Sequence, residues 1–467
     1  MRHCKQGSHA RQMNRIRQQF AQADGLPFSD VLSPETVAQA LQAAGVRDHQ
    51  RVYSAATVLW AFLSQVMDDD QSCRATVMRV IAYLLSEGRK PCSSETGAYC
   101  VARALLPEAV FAECVRQTAL SQEAQIPPEW MWKELHPKLL DGTTASMPDT
   151  EKSQAEYPQP SSQKKGLGFP LMRVLAVFSL ATGLLHELRF SAFKGKYQSE
   201  LGMFRELWDT FDPSDLVLAD RLFCSWFELA MLQRRGVNIV MPLHQRRDVD
   251  FRRGKRLGPG DHVVEWPKPS QCPDWMDQAT YDELPDKLLM REIRVKIEQP
   301  GFRTEEIIVV TTLLDVEKYP AEDVRQLYRA RWNAELDLRS LKETMHMDVL
   351  RGKSPDIVRK EIWMHALAYN LIRTVIAQAA LTHDILPRTI SFKGTLQALK
   401  AFQPQLAEAA PAELPRLIVA LWKAMVTHRV ADRPGRVEPR AKKRRPKPYP
   451  LLMQPRAEAR IALCRKA

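Results

Sequence analysis

The stretch 172–191, MRVLAVFSLATGLLHELRFS, falls into two apolar runs separated by Ala181, Thr182 and Gly183. Short runs rich in Val, Leu and Phe around a small-residue break ending in glycine read as two strands joined by a hairpin. The strands are expected at 172–180 and 184–191. Upstream, Leu139 and Leu140 lead into Asp141 as a third short strand that gives way to a turn at Gly142, Thr143 and Thr144. A linker at 148–165, rich in Pro, Ser and Gln, is expected to project outward. Downstream come a helix near 198–208, a strand at 216–218 running into Asp220, a helix at 223–235 and a strand at 237–241.

Three antiparallel strands followed by alternating helix and strand is the order of a ribonuclease H-like fold, an α/β core whose sheet carries acids at neighbouring strand ends. In such a core a third acid arrives on a later helix. Here 307–313 supplies an intervening strand, and Pro320 starts a helix at Ala321 that carries Glu335. The catalytic core is expected over 131–241 and 304–385. Between them, 242–303 reads as a β-rich insertion, alternating at 262–266 and 289–297 and containing Arg246, Arg247, Arg252, Arg253, Lys255 and Arg256. A structureless loop of that length is uncommon inside a compact domain.

The first part, 1–130, reads as a helical DNA-binding domain. Ser33, Pro34 and Glu35 form a start signal, Val37, Leu41 and Ala44 share a face, and Gly45 is a stop. The stripe repeats at 53–67 and 71–85, and a shorter helix runs from Ser93 or Ser94 towards Leu105. A small helical domain ahead of a catalytic one suits DNA reading, with Ser94 and Arg103 as candidates; ordinary surface residues are the simpler interpretation of both. After an apolar helix at 357–380, the region 386–467 reads as helical over 395–426. It ends in a basic tail with Lys442, Lys443, Arg444 and Arg445, suited to non-specific phosphate contact.

The 467 residues suffice for a sizeable core, and the net charge of +12 with a pI of about 9.3 favours a polyanionic partner, nucleic acid first. No apolar run reaches the ~18 residues of a membrane span, and the basic 1–17 lacks the apolar core of a secretory signal. A cytoplasmic protein is expected, nucleoid-associated when bound to DNA. The 8 cysteines contain no C-x2-C pair, so they read as reduced thiols rather than zinc ligands. Gly352, Lys353 and Ser354 resemble the end of a phosphate loop, but Met347 stands where its first glycine belongs. Neither G-x-S-x-G nor H-E-x-x-H occurs, which removes the hydrolases built on them.

The chemistry concentrates in 328–342, YRARWNAELDLRSLK. On one continuous α-helix Tyr328, Arg331, Glu335 and Lys342 would fall within an arc of roughly 60°. A carboxylate flanked by cations suits a site that holds a divalent metal together with phosphate oxygens. Alone, the same pattern describes a solvated polar stripe. Asp141 and Asp220, each expected where a strand gives way to a turn, tilt the balance. Three carboxylates brought together by the fold could hold two ions, Asp141 bridging them, with Asp220 and Glu335 on one each; oxygen-only ligation suits Mg²⁺ or Mn²⁺ rather than zinc. Rival acids are Asp149, Asp212, Asp215 and Asp337. Asp337 points away from the face of Glu335, and Asp212 before Pro213 reads as a turn cap. His136 and His186 read as hydrogen-bonded structural residues.

The spacing Y-x2-R-x3-E-x6-K at Tyr328, Arg331, Glu335 and Lys342, with DGTT at Asp141 and ADRLFCS around Asp220, resembles the DDE transposases of bacterial insertion sequences in the IS-four family. Likeness extends through FPLMRVLAVFSLATG from Phe169, RRGKRLGPGDHVVEWPKP from Arg252 and RPGRVEPRAKKRRPK from Arg433, so it spans about 135 to the end. The resemblance implies cut-and-paste DNA transposition by a synaptic homodimer acting on terminal inverted repeats and target DNA. Asp141, Asp220 and Glu335 match the catalytic, metal-holding triad, and Tyr328, Arg331 and Lys342 match residues that hold DNA phosphates. Some relatives form a DNA hairpin aided by aromatic residues. Where they carry an aromatic cap this chain reads Glu305, Glu306 and Ile307; Trp266 or Trp332 could substitute, or could be packed. Arg252, Arg253, Lys255, Arg256 and Trp266 of the insertion are further DNA-contact candidates. The alternatives are a catalytically inactive relative that binds or represses element ends, and a ribonuclease H-like nuclease without strand transfer.

Overall fold

In the computed structural model, which describes residues 32–47, 51–86, 88–193, 195, 198–296, 306–410, 412–430 and 451–465, the 28-residue helix Pro355–Thr382 is buried around nearly its whole circumference. Ser354 caps it, accepting from the amide of Ile357, and Pro355 opens its first turn. A helix apolar on every side must be surrounded. The helices Ala55–Met67 and Glu108–Glu123 pack against it. Asn370 reaches across this packing: its amide donates to the carbonyls of Val115 (3.3 Å) and Leu185 (2.7 Å), and its oxygen accepts from the Leu185 amide at 2.8 Å.

The chain is a mixed α/β molecule in two compact units. The first comprises the described residues of Met1–Trp132, Ala176–Leu188 and Ala334–Val430; the second comprises those of Lys133–Leu175, Arg189–Asn333 and Ala431–Ala467. The basic tail residues named above and the 297–305 segment lie outside the described residues, as do the arginines of 1–31, which are further candidates for DNA reading in the helical N-terminal part.

In the first unit the start signal at Ser33 holds, its side chain accepting from the Thr36 amide at 3.1 Å to open the helix Pro34–Ala43; Ser54, which the sequence reading did not single out, accepts from the Thr57 amide at 3.2 Å and opens Ala55–Met67. Cys73–Ser86 and Gly97–Leu105 follow. Arg103 is 9% exposed, donates to Gln65 Oε1 at 3.1 Å and lies over the rings of Phe62 (4.7 Å) and Tyr99 (5.3 Å). It is a packing residue and not a candidate for base contact. The expected helical run at 395–426 is two helices, Phe392–Glu408 and Leu414–Thr427.

A buried ion trio closes this unit. Asp337 is 0% exposed; Arg373 donates to it, and Arg388 donates to its two oxygens at 2.8 and 2.7 Å. Arg388 also donates to the carbonyls of Leu180 (2.8 Å) and Ser179 (2.6 Å), beside the turn in which Gly183 has φ +80°. A Cβ at Gly183 would stand 2.8 Å from the Arg373 guanidinium, so glycine is required by both backbone and space. Asp337 is thus a structural counter-ion, which explains in contact terms why it faces away from Glu335.

The sheet belongs to the second unit, except for 176–179 and 185–188 at the hairpin end. Its strands are β1 His136–Ser146, β2 Leu171–Ser179, β3 Leu185–Ala192, β4 Asp215–Leu218, β5 Asn238–Pro242, β6 Lys255–Gly258, β7 Asp261–Pro267, β8 Lys287–Lys296 and β9 Glu306–Thr311. They form one nine-stranded sheet in the order β3-β2-β1-β4-β5-β9-β8-β7-β6. β1, β4 and β5 pair in parallel; β5–β9, β9–β8, β8–β7 and β7–β6 pair antiparallel. The strands of 242–303 therefore extend the main sheet through β9. Fully buried Arg291 locks them, donating to both Asp261 oxygens at 2.9 and 2.6 Å and to the Tyr319 carbonyl at 2.7 Å.

Two expectations are corrected in this unit. The 148–165 linker contains a helix, Glu151–Glu156, capped by Thr150, with Ser153 and Tyr157 buried. The helix begun at Ala321 stops at Ala330, because the Asn333 side chain donates to the Ala330 carbonyl at 2.7 Å in place of a continuing backbone bond.

Removing one partner of a buried ion group leaves the others uncompensated, a cost of about 3–5 kcal/mol. Asp337→Asn should therefore lower the folding free energy by about that amount in urea denaturation, and a loss below about 1 kcal/mol would refute the anchoring role. His365 is fully buried, among the described residues neither of its ring nitrogens finds a hydrogen-bond partner, and burial, with His346 adding to it, moves its pKa from 6.5 down to about 3. The folded state holds it neutral while the unfolded chain protonates it. Its stability contribution is complete above 6.5 and lost as the pH falls towards 3, at about tenfold in the folding constant per pH unit. His365→Leu should flatten the stability profile between pH 6 and 4, measured by urea titration; an unchanged slope would contradict this.

Candidate active site

Parallel pairing sets His136 opposite Asp215 and Leu139 opposite Leu218. Asp141 and Asp220 each lie two residues beyond the last paired residues, Leu139 and Leu218, so the register carries both to the same end of this strand pair. Asp220 stands where expected, past the end of β4. It caps the 3-10 turn Arg221–Phe223, accepts from the Arg221 amide at 2.7 Å and is exposed. Asp141 does not end its strand: β1 continues to Ser146, as β-branched Thr143 and Thr144 favour extended backbone. Asp141 Oδ1 accepts from the Gly142 amide at 3.0 Å. A Cβ on Gly142 would lie 3.1 Å from the Glu200 carboxyl carbon. Because successive strand residues face opposite ways, Glu200 packs on the face away from Asp141.

Tyr328 and Arg331 belong to the same unit as these two acids. The Arg331 guanidinium lies 6.0 Å from the Tyr328 ring centre. Burial works against its charge, but Tyr328, Asp141 and Asp220 outweigh burial and raise its pKa. Burial foremost pushes the Tyr328 hydroxyl up, with Asp220 adding to it and Arg331 and Arg221 opposing. Four predicted residues thus share one electrostatic neighbourhood.

Glu335 and Lys342 are half-buried and belong to the first unit, whose boundary falls between Asn333 and Ala334. Glu335 lies in the helix Asn333–Arg339, and Lys342 in a π-helical turn, Ser340–Thr344, where the Ser340 hydroxyl donates to the Leu336 carbonyl at 2.9 Å. The signature therefore occupies three successive segments, and the single-face argument from one α-helix does not hold. Among the described residues no three His, Cys, Asp or Glu side chains form a group that could hold a metal ion. Asp141 and Asp220 offer the oxygen donors that a hard divalent ion prefers, and a third ligand must be brought to them.

On the insertion, Arg252 and Arg253 are exposed and bridge to Asp250 at 2.9 and 3.5 Å. Lys255 and Arg256 are exposed on β6, the outermost strand. Trp266 differs: it is 3% exposed, donates to Glu292 Oε1 at 2.9 Å, accepts at its carbonyl from Trp226 Nε1 at 2.9 Å and is covered by Arg247 at 3.9 Å. Its ring is part of the packing. Trp332, at the helix break, is 43% exposed.

A family described as Transposase DDE domain matches residues 137–371, just over half of the chain and a span that includes Asp141, Asp220 and Glu335. The chain belongs to the DDE transposases. This transposase is 24% identical over 428 residues to Transposase InsG for insertion sequence element IS4 of Escherichia coli (strain K12), covering 91% of this chain and 93% of that one. It is 38% identical over 69 residues to the transposase for insertion sequence element IS421 of Escherichia coli, covering 15% of this chain and 19% of that one. The cryo-EM structure of the piggyBac transposase synaptic complex with hairpin DNA aligns with a TM-score of 0.41 at 10% identity, covering 88% of this chain and 85% of that one. The transposase is a DNA-acting enzyme of a family that uses divalent metal ions. Among its described residues no helix is long and apolar enough to cross a membrane.

If the Trp266 ring is packing, Trp266→Ala should cost about 3–5 kcal/mol of folding free energy. Unchanged chemical denaturation combined with weakened DNA binding would instead make the ring a DNA contact.

Proposed function

We propose that this transposase performs cut-and-paste transposition, cleaving hydrolytically at the ends of its element and then joining the freed 3′-hydroxyl to target DNA. The observation that carries this reading is that Asp141 on β1 and Asp220 just past β4 each lie two residues beyond the last pair of one parallel register, with Arg331 in their field. In this reading β3-β2-β1-β4-β5 is a ribonuclease H-like core, 242–303 is an inserted DNA-tracking arm and 1–130 is an end-binding domain. Asp141 and Asp220, joined by Glu335, would hold two Mg²⁺ or Mn²⁺ ions. When bound, such ions supply an activated nucleophile and stabilise the leaving oxygen of an in-line displacement.

The chain's own residues do the rest. Arg331 offsets the repulsion between the two acids. Lys342 and Arg331 are donors to non-bridging phosphate oxygens, where a guanidinium can bind bidentately. Tyr328 braces Arg331 from one side. Arg252, Arg253, Lys255 and Arg256 follow the backbone of the terminal inverted repeat, so binding weakens steeply with salt. A homodimer holds both ends in the synaptic complex, in the cytoplasm on nucleoid DNA.

Incubation with Mg²⁺ or Mn²⁺ and DNA spanning the element's own boundary, with mapping of nicks and joined products, tests this directly. Asp220→Asn should leave end binding within about twofold while removing metal-dependent cleavage by at least ~10³-fold, of the order expected when a metal-site group is lost. Cutting at near wild-type rates would remove Asp220 from the mechanism.

A further inference from the structure

Beside the two acids stands a cation that the spacing signature does not include. Arg221 follows Asp220 directly and opens the 3-10 turn that Asp220 caps. Its backbone is tied down, since the amide donates to Asp220 Oδ1 at 2.7 Å and the Arg221 carbonyl accepts from the Cys224 amide at 3.2 Å. Its side chain is exposed, and among the described residues no hydrogen bond or ion pair engages the guanidinium. Its charge nevertheless acts on the Tyr328 ring, so it lies on the side of the site where Tyr328 and Arg331 stand.

The contrast with Arg331 is instructive. Arg331 is half-buried, over the Tyr328 ring, with its charge already acting on both acids. A guanidinium so engaged can offer few donors outward, whereas an exposed one keeps all five in a fork that matches two phosphate oxygens. A scissile phosphodiester brought to Asp141 and Asp220 carries negative charge towards two carboxylates. Metal ions would meet it on the side of the acids, leaving its outward non-bridging oxygens to a guanidinium on the solvent side. Stable surface arginines usually do no more than solvate a face, but this one is held by a capped turn within one residue of an acid assigned to catalysis.

We infer that Arg221 grips the phosphate being cut, binding its non-bridging oxygens as DNA enters, in addition to the contacts proposed for Arg331 and Lys342. This rests on the reading of Asp141 and Asp220 as catalytic acids. Arg221 supplies an exposed fork at the site that the spacing signature does not include. Arg221 is thus a substrate-contacting residue, and its neighbour Leu222, 39% exposed, lies on the same turn.

The test uses the full-length chain, Mg²⁺, a duplex spanning the element's own boundary, a precut end duplex with a free 3′-hydroxyl, and a shuffled duplex of equal length. Arg221→Ala should slow cleavage at saturating DNA by roughly 10–100-fold. Affinity for the two end duplexes should fall more than for the shuffled one, and the slope of log K against log salt for the precut end should shrink by about one contact. Arg221→Lys, which keeps the charge but not the fork, should recover the salt slope and only part of the rate. The exposed site predicts an unchanged melting temperature for both variants. Wild-type cleavage and salt slope in Arg221→Ala would overturn the assignment, as would equal losses on all three duplexes. Asp220→Asn in parallel separates the two claims. Loss of its cleavage alongside normal Arg221→Ala cleavage rejects Arg221 alone, whereas cleavage by Asp220→Asn rejects the underlying catalytic reading.

Discussion

The parallel register between β1 and β4 is the constraint on which the site depends. Side chains alternate across a strand, so a slip of one residue would send Asp141 to the opposite sheet face and break its alignment with Asp220. The register is held by burial: Leu139, Leu140, Leu216, Val217 and Leu218 are fully buried, and any shift would exchange them for polar neighbours. Two acids gathered at one end of a strand pair repel, and the fold answers with a cation from a distant helix end, Arg331. Hydrophobic pairing thus places a charge arrangement that electrostatics alone would oppose.

The second unit's continuity and the first unit's anchoring solve different problems. Arg291 commits its fork to Asp261 and to the Tyr319 carbonyl, joining the inserted strands to the segment that leads into the Ala321–Ala330 helix. In the first unit, Asp337 draws Arg373 and Arg388 together and ties the chain just after Glu335 to the hairpin turn at Gly183. Both devices bury full charges, which is tolerable only because each carboxylate meets a guanidinium and spare donors find carbonyls.

Much of this was legible in the residues. The MRVLAVFSLATGLLHELRFS stretch marks β2, β3 and the Gly183 turn to within one residue, because β-rich runs and an obligatory glycine are local signals. Start signals located the helices after Ser33 and Pro320 for the same reason. What failed depended on tertiary partners. The extension of β1 through Thr143 and Thr144 requires a neighbouring strand, and the burial of Arg103 and Trp266 requires Gln65, Phe62, Glu292 and Arg247 around them. The break after Ala330 was signalled by Asn333, but a side-chain bond to the preceding turn competes with a good helical pattern and leaves no trace in periodicity. The π-helical turn around Lys342 is equally silent in sequence.

The outermost strand, β6, has a consequence for how many copies can share one DNA molecule. A sheet edge exposes unpaired backbone donors and acceptors that can recruit a like strand. Here the edge bears Lys255 and Arg256, and its pairing with β7 is irregular between Arg256 and Gly258. Two such margins repel each other and present no even ladder for fusion. Copies held close together are therefore not drawn into fibres through this rim.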